Sequence, residues 1–218
     1  MKKDEAYDYM KNHIINQTWE PGYTININEV SAILSMSRSP VMEALKELEQ
    51  EEYVTIIPQV GAYVKQPSST DLVERLLMRA SLEALMAEWA AVNISKQQLE
   101  LLNQLLEQME KPDIRLERYG ELNREFHQII YEGSGLNYVR KNVEQCWNYM
   151  EYLGAQKLIF QKRDMSRSIM EHKLIYHSLV EGNKYLAKQL MESHIVRATT
   201  LSTTNINLFE GESNNVRV

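Results

Sequence analysis

The 218-residue chain has one cysteine, eight glycines and five prolines. A single thiol, Cys146, excludes an intramolecular disulfide and a multi-thiolate metal site. No apolar run reaches the roughly 20 residues that a membrane span needs. The start MKKDEAYDYM lacks the apolar core of a signal peptide, so the expected location is the cytoplasm. An excess of positive charge is also missing: 24 Lys and Arg stand against 30 Asp and Glu, a formal net charge of -6. That balance argues against a protein that coats nucleic acid non-specifically, while leaving room for a local basic contact. Hydrophobic residues at 44% and charged residues at 25% match an ordinary globular composition, which excludes wholesale disorder. The length fits two domains of usual size.

The few breakers punctuate the chain unevenly. Pro21-Gly22, Pro58, Gly61 and Pro67-Ser68-Ser69-Thr70 fall in the first third, and afterwards Pro112 interrupts long helical patterns. This spacing predicts a first domain over 1–66, a linker over 67–70, a second domain over 71–205 and a loose tail over 206–218. In the first domain, Ala6, Met10, Ile14 and Ile15 recur at helical spacing within 4–17. Two further short helices, 28–35 and 38–52, are separated by Ser35-Met36-Ser37. The β-branched and aromatic stretch Tyr53–Lys65, with Pro-Gln-Val-Gly at its middle, predicts a β-hairpin. Beyond Thr70 the pattern predicts helices over 71–93, 96–110, 115–133, 136–162, 165–181 and 183–204. The fold class is therefore mainly α: a winged helix-turn-helix followed by an all-α bundle.

Helix, two helices about a tight turn, then a hairpin is the element order in which the last helix enters the DNA major groove and the hairpin touches the flanking backbone. Ser37, Arg38, Ser39 and Pro40 open the third helix, where hydroxyls, a guanidinium and helix N-terminal amides suit phosphates and guanine edges. Val41, Leu45 and Leu48 share a packing face, which turns Arg38, Ser39, Met42, Glu43 and Lys46 outward. The stretch from Glu20 to Val64, and the SRSPVMEAL block above all, resembles the DNA-binding domain of GntR-type bacterial regulators. By that resemblance Arg38, Ser39 and Pro40 match the groove-facing start of the recognition helix, and Gly61 matches the tip of the wing. Met42 and Val60 replace arginines that the family usually carries, which removes two expected contacts to DNA.

In the second domain Asn123 and His127 are four apart, so they project from one helical face, while His172 and His194 lie on two later helices. Converging helices would bring three imidazoles and one amide oxygen to a divalent ion, although isolated histidines on helices are more often ordinary half-buried residues. Residues 71–204 resemble the FCD ligand-binding domain, on RASLEALMAEWAA, NREFHQIIYEGSGLNYV and EHKLIYHSLVEGNKYLAKQLMESH. In metal-binding members a carboxylate and three histidines hold the ion, at positions matching Asn123, His127, His172 and His194. The resemblance thus implies a site for zinc, nickel or manganese in which a neutral amide stands for the carboxylate.

Arg79 matches an inward-facing arginine of the family and is a candidate anchor for a small anionic effector, with Arg124 a second; the competing reading of Arg79 is an ion pair with Glu83. Arg163 and Arg167 suit solvated faces, and Glu171 could orient a neighbouring histidine. His13 and His177 have no partner at useful spacing. Cys146 reads as a small buried hydrophobe, and Trp147, Tyr149, Met150 and Tyr152 beside it as core or cavity lining.

These features predict a transcription repressor that binds a palindromic operator as a homodimer and responds to a small carboxylate in the helical domain. Two other classes compete. One is a metal-dependent enzyme, since a histidine site with open positions can activate water; against it, the carboxylate nearest His127 in sequence, Glu125, faces another side of the helix. The other is a winged-helix protein that acts through protein contacts. Residues 1–66 carry six Lys and Arg against ten Asp and Glu, so operator binding must lean on a few placed contacts and helix N-terminal amides.

Overall fold

The computed structural model describes residues 2–66, 69–152 and 162–197. The chain divides into two compact units, one of Met1–Ser68 with Asn148–Leu153 and one of Ser69–Trp147 with Gly154–Val218. Residues 148–153, which the sequence reading places in the second domain, thus group with the first.

The first unit holds α1 (Lys2–Ile15), β1 (Thr24–Ile25), α2 (Ile27–Ile33), α3 (Arg38–Gln50), β2 (Val54–Ile57) and β3 (Gly61–Val64). Ala6, Met10 and Ile14 of α1 and Val41, Ala44, Leu45 and Leu48 of α3 are fully buried, each set at helical spacing, so the two helices share one core. Asn26 caps α2 by accepting from the backbone N–H of Asn28 (3.0 Å) and Glu29 (3.3 Å). The turn after α2 is a Schellman motif: Met36 N–H donates to Ser31 O (3.0 Å) and Ser35 N–H to Ala32 O (3.2 Å). Ser35 takes the left-handed position (φ 50) that glycine usually occupies, and Met36 is buried just after it.

The expected hairpin is the β2–β3 pair, in register Thr55 with Tyr63 and Ile56 with Ala62. A third strand was not anticipated. Two-residue β1 pairs with β3, giving the order β1-β3-β2; a strand that short leaves no period to read. At the hairpin turn Val60 N–H donates to Ile57 O (3.0 Å) and Gln59 takes φ 62, the left-handed third position of a type II turn after Pro58.

The second unit contains α4 (Ser69–Asn93), α5 (Lys96–Met109), α6 (Leu116–Ser134), α7 (Asn137–Tyr152) as far as Trp147, α8 (Lys162–Val180) and a helix over 184–197, here α9. Helix α4 begins at Ser69, so the last two residues of the expected linker are helical. The expected helix over 136–162 is described as far as Tyr152, and Lys162 already belongs to α8. The tail over 206–218 lies outside the described residues.

Breaks between these helices follow local chemistry. Ser95 and Gln98 form a capping box at the start of α5, and Gly135 closes α6 in the left-handed conformation (φ 73). The core draws on Ala80, Ala87 and Ala90 of α4, Leu102, Leu105 and Leu106 of α5, Tyr119, Leu122, Phe126 and Ile130 of α6, Ile175 and Leu179 of α8, and Ala187, Met191 and Ile195 of α9. Small alanines on α4 allow its neighbours to approach closely. Gly133 marks another close approach, since a Cβ there would stand 2.9 Å from Ile94 Cγ1. Among the described residues no helix is long and apolar enough to cross a membrane.

Candidate functional site

On the first unit, the residues predicted to read DNA gather at the start of α3. Ser37 is its N-cap with an extended backbone (ψ 166) and no side-chain capping bond, so its hydroxyl stays available beside the helix N-terminal amides. Ser37, Arg38, Ser39 and Lys46 are exposed and Pro40 is half-buried. Ser39 Oγ donates to Glu43 Oε1 (3.2 Å) one turn on. Met42, expected to face outward, is half-buried and packs in part against the core of the unit. Gly61 opens β3 with φ 153, a backbone state unsuited to other residues, and Val60 before it is 64% exposed.

Charge on this unit is distributed unevenly. Lys3 pairs with Glu47 (2.9 Å), Lys11 with Glu51 (2.9 Å) and Lys65 with Glu52 (3.6 Å). Among the described residues Lys2, Arg38 and Lys46 make no such ion pair, so two of the three cations of this unit still open to a partner sit on α3.

On the second unit, α6 presents a polar strip within its apolar face. Asn123 and His127 are buried alongside Tyr119, Leu122, Phe126 and Ile130. Helix α8 buries His172 at the spacing of Met165, Ser168, Ile175 and Leu179, and α9 buries His194 at that of Ala187, Met191 and Ile195. One ring nitrogen each from His127, His172 and His194 lies within 4.8 Å of the others, and all three side chains are buried. His172 Nε2 and His194 Nε2 are 3.2 Å apart.

The outward edges of two of these rings are held by carboxylates. His127 Nδ1 meets Glu83 Oε2 at 2.6 Å, and His194 Nδ1 meets Glu171 Oε2 at 2.7 Å. Each carboxylate fixes the tautomer with the proton on Nδ1 and leaves Nε2 an acceptor. Burial would push the Glu83 carboxyl up, but Arg79 and His127 beside it prevail and bring it down to about 2. Burial likewise opposes ionisation of Glu171, where hydrogen bonds from His194 and Arg197 prevail and also bring it to about 2. Burial lowers His194 to about 4 in spite of Glu171, and burial together with His194 and His127 pushes His172 well below its ordinary value. His172 and His194 are therefore neutral near pH 7, as metal ligands must be.

Within this cluster Asn123 Oδ1, His127 Nε2 and His172 Nδ1 are buried without a hydrogen-bond partner among the described residues. Natively folded cores rarely tolerate such orphans unless something else satisfies them. Two fixed Nε2 acceptors and a third imidazole form a donor set that could hold a divalent metal ion, with the Asn123 amide oxygen one helical turn from His127.

Glu83 is the residue that sequence reasoning undervalued. Glu125, the carboxylate nearest His127 in sequence, is exposed, and Glu83 of α4 makes the contact from 44 residues away. A signal was present, since Glu83 takes a core position in the stripe Leu76, Ala80, Glu83, Ala87, Ala90 and is itself fully buried. Arg79, 4% exposed, is ion-paired with Glu83 through Nε, which is the competing reading of this residue. Its guanidinium lies 3.8 Å from the centre of the Trp147 ring, and Trp147 Nε1 donates to Tyr131 Oη (2.9 Å). Arg124, half-buried, stands 5.9 Å from the same ring.

Glu171 accepts from both Arg197 Nε (2.6 Å) and an Arg197 terminal nitrogen (2.7 Å), and pairs with exposed Arg167 (3.2 Å). The Arg163, Met150 and Tyr152 side chains lie outside the described residues. His13 packs between Tyr9 and Trp19 with Nδ1 on Tyr9 O (2.8 Å), and His177 is exposed. Cys146 is buried, and burial raises its thiol pKa.

Comparison with known proteins matches both units. Residues 74–197 fit the FCD domain model and residues 2–64 the model for bacterial regulatory proteins of the gntR family. The chain is 26% identical over 197 residues to the uncharacterized HTH-type transcriptional regulator YdhC of Bacillus subtilis, covering 87% of this chain and 86% of that one. It is 22% identical over 204 residues to the HTH-type transcriptional repressor GlaR of Escherichia coli, covering 88% and 91% respectively. Among solved structures, E. coli McbR/YncC superposes with a TM-score of 0.72 at 22% identity, over 94% of this chain and 99% of that one. That likeness shows the same fold.

Proposed function

This chain belongs to the gntR family of bacterial regulatory proteins, with an FCD domain, and is a DNA-binding transcription regulator, not an enzyme; from that premise we propose that it is a homodimeric repressor released or engaged by a small carboxylate. One α3 reads only a half-site, so two copies on a two-fold axis would meet a palindromic operator with half-sites about one helical turn apart. Arg38, Ser37 and Ser39 at the exposed start of α3 would contact base edges and phosphates. Pro40 would set the first turn, Lys46 would reach the backbone, Met42 would offer an apolar edge, and Gly61 would let the wing approach the flanking DNA. The repressor sign rests on likeness to GlaR. The acting compartment is the cytoplasm, where operator DNA lies.

The observation that carries the sensing role is the buried histidine cluster, with two Nδ1 edges locked by Glu83 and Glu171 and with Asn123 Oδ1 left unpartnered. Asn123, His127, His172 and His194 would hold a divalent metal, which supplies a Lewis-acidic attachment point for a carboxylate when bound. Glu83 and Glu171 orient the imidazoles, and Arg79, braced by Glu83 and Trp147, sets the charge beside the effector, with Arg124 at the edge. Differential binding of the effector to two arrangements of the dimer would alter operator affinity by a coupling of about 1–3 kcal/mol.

The test is a fluorescence-anisotropy assay on the intergenic DNA flanking the protein's own gene. Specific binding is expected, and Arg38→Ala should weaken it by about 1–3 kcal/mol if it makes a bidentate guanine contact. Unchanged operator affinity in Arg38→Ala would remove its assigned role. Absence of specific binding at low salt would instead favour action through protein contacts, for which the apolar Met42 and Val60 speak.

A further inference from the structure

The residues proposed to hold the ion are all uncharged donors: three imidazoles and the Asn123 amide. Among the described residues, the carboxylates that touch these histidines are Glu83 and Glu171, and both are committed elsewhere. Glu83 meets the Nδ1 edge of His127 and pairs with Arg79, while Glu171 meets the Nδ1 edge of His194 and is gripped by Arg197 through both oxygens. Two negative charges are therefore already balanced by Arg79 and Arg197, with exposed Arg167 also on Glu171. Each carboxylate also sits at the ring edge opposite Nε2, and neither can turn to the Nε2 side without abandoning its arginine.

A divalent cation at the Nε2 side would bring two positive charges into a site that is buried and otherwise neutral. His127 and His172 are wholly buried and His194 is 5% exposed, so bulk water cannot offset that charge. An aspartate at position 123 would cancel part of it; the amide cancels none. We infer that Asn123 makes metal binding conditional on an anion, so that this protein binds a divalent metal and a small carboxylate as a coupled pair and neither tightly alone. The inference rests on the proposed metal reading and specifies how that site works. Because coupling free energy is reciprocal, metal should tighten carboxylate binding by the same factor that carboxylate tightens metal binding. The output would then report the coincidence of metal and metabolite.

The experiment measures Co2+ affinity of the full-length protein by calorimetry at one pH, in nitrate as the sole added anion or with part of the nitrate replaced by acetate. Wild type should bind Co2+ at least about tenfold more tightly with acetate, within the roughly 5–150-fold range of ordinary couplings. Asn123→Asp should bind Co2+ tightly in nitrate alone and gain less than about threefold from acetate. Equal wild-type affinities in the two media, in a protein that does bind Co2+, would overturn the coupling while leaving the metal site standing. An acetate gain in Asn123→Asp as large as in wild type would overturn the role of Asn123. Failure of both proteins to bind Co2+ in either medium would overturn the metal reading itself, and the inference with it.

Discussion

Replacing Glu83 by methionine removes a carboxylate that serves two buried partners, Arg79 and His127. Arg79 is 4% exposed, so after the substitution its guanidinium has little water to replace the lost anion. Removing one member of a buried pair typically costs roughly 3–5 kcal/mol, chiefly because the other charge is stranded. In the double variant Arg79→Met with Glu83→Met no charge is stranded. What remains is the unsatisfied Nδ1–H of His127, worth about 1–3 kcal/mol, and the lost stacking of Arg79 on Trp147, worth about 0.5–2 kcal/mol. The double variant should thus be no less stable than the single one, a non-additivity that two independent contacts cannot produce. Urea unfolding of the full chain in the presence of a chelator, followed by tryptophan fluorescence, reads this out. With a slope of about 2 kcal/mol/M, the midpoint of the second unit should fall by about 1.5–2.5 M in Glu83→Met. A loss under about 1 kcal/mol in the single variant, or a double variant markedly less stable than the single, would refute the reasoning.

Other expectations follow from the same structure. His127→Ala combined with His194→Ala should leave no stoichiometric metal in protein purified without a histidine tag, by elemental analysis; retained metal would place the site elsewhere. Gly133→Ala should destabilise the second unit by about 1–3 kcal/mol, because the new Cβ would force Ile94 to shift; a thermal melt indistinguishable from wild type would show that Ile94 yields freely. Operator binding should have a shallow salt dependence. In the proposed dimer Arg38 and Lys46 from two copies would make about four phosphate or base contacts at roughly 0.9 each, a log–log slope of about -4. A slope near -10 would mean that the paired lysines release their acids and turn to the DNA.

Much of this was legible from residue spacing, and the parts that were not share a cause. The boundaries of α5 and α6 follow from capping residues and apolar period, as Ser95 with Gln98 and Gly135 show, while the starts of α4 and α8 do not. The SRSPVMEAL block located the start of α3 to the residue, because Ser37 suits the N-cap and Pro40 falls in the first turn, where its missing N–H leaves no helical bond unmade. Grouping His127, His172 and His194 needed the family resemblance, since nothing in their spacing says that three helices converge. Glu83 shows the limit. Its local partner Arg79, four residues away, was visible, while its partner His127 is reached across a helix interface. Strand β1 escaped for a related reason: two residues carry no alternation, and pairing with β3 alone makes them a strand. Met42 sits at the boundary of the helical wheel, and the neighbouring side chains make it half-buried.

The pairing of Lys3, Lys11 and Lys65 with acids of their own unit bears on how many molecules a cell must make. Every stretch of genome is a decoy for a DNA-binding protein, and decoys number about 10⁶–10⁹ against a single operator. A surface that satisfies half of its cations internally gives those decoys little to hold. A larger share of the copies then stays unbound between encounters with the operator, and occupancy can be kept with few copies. Pairing these lysines internally would therefore lower the copy number needed to keep an operator occupied.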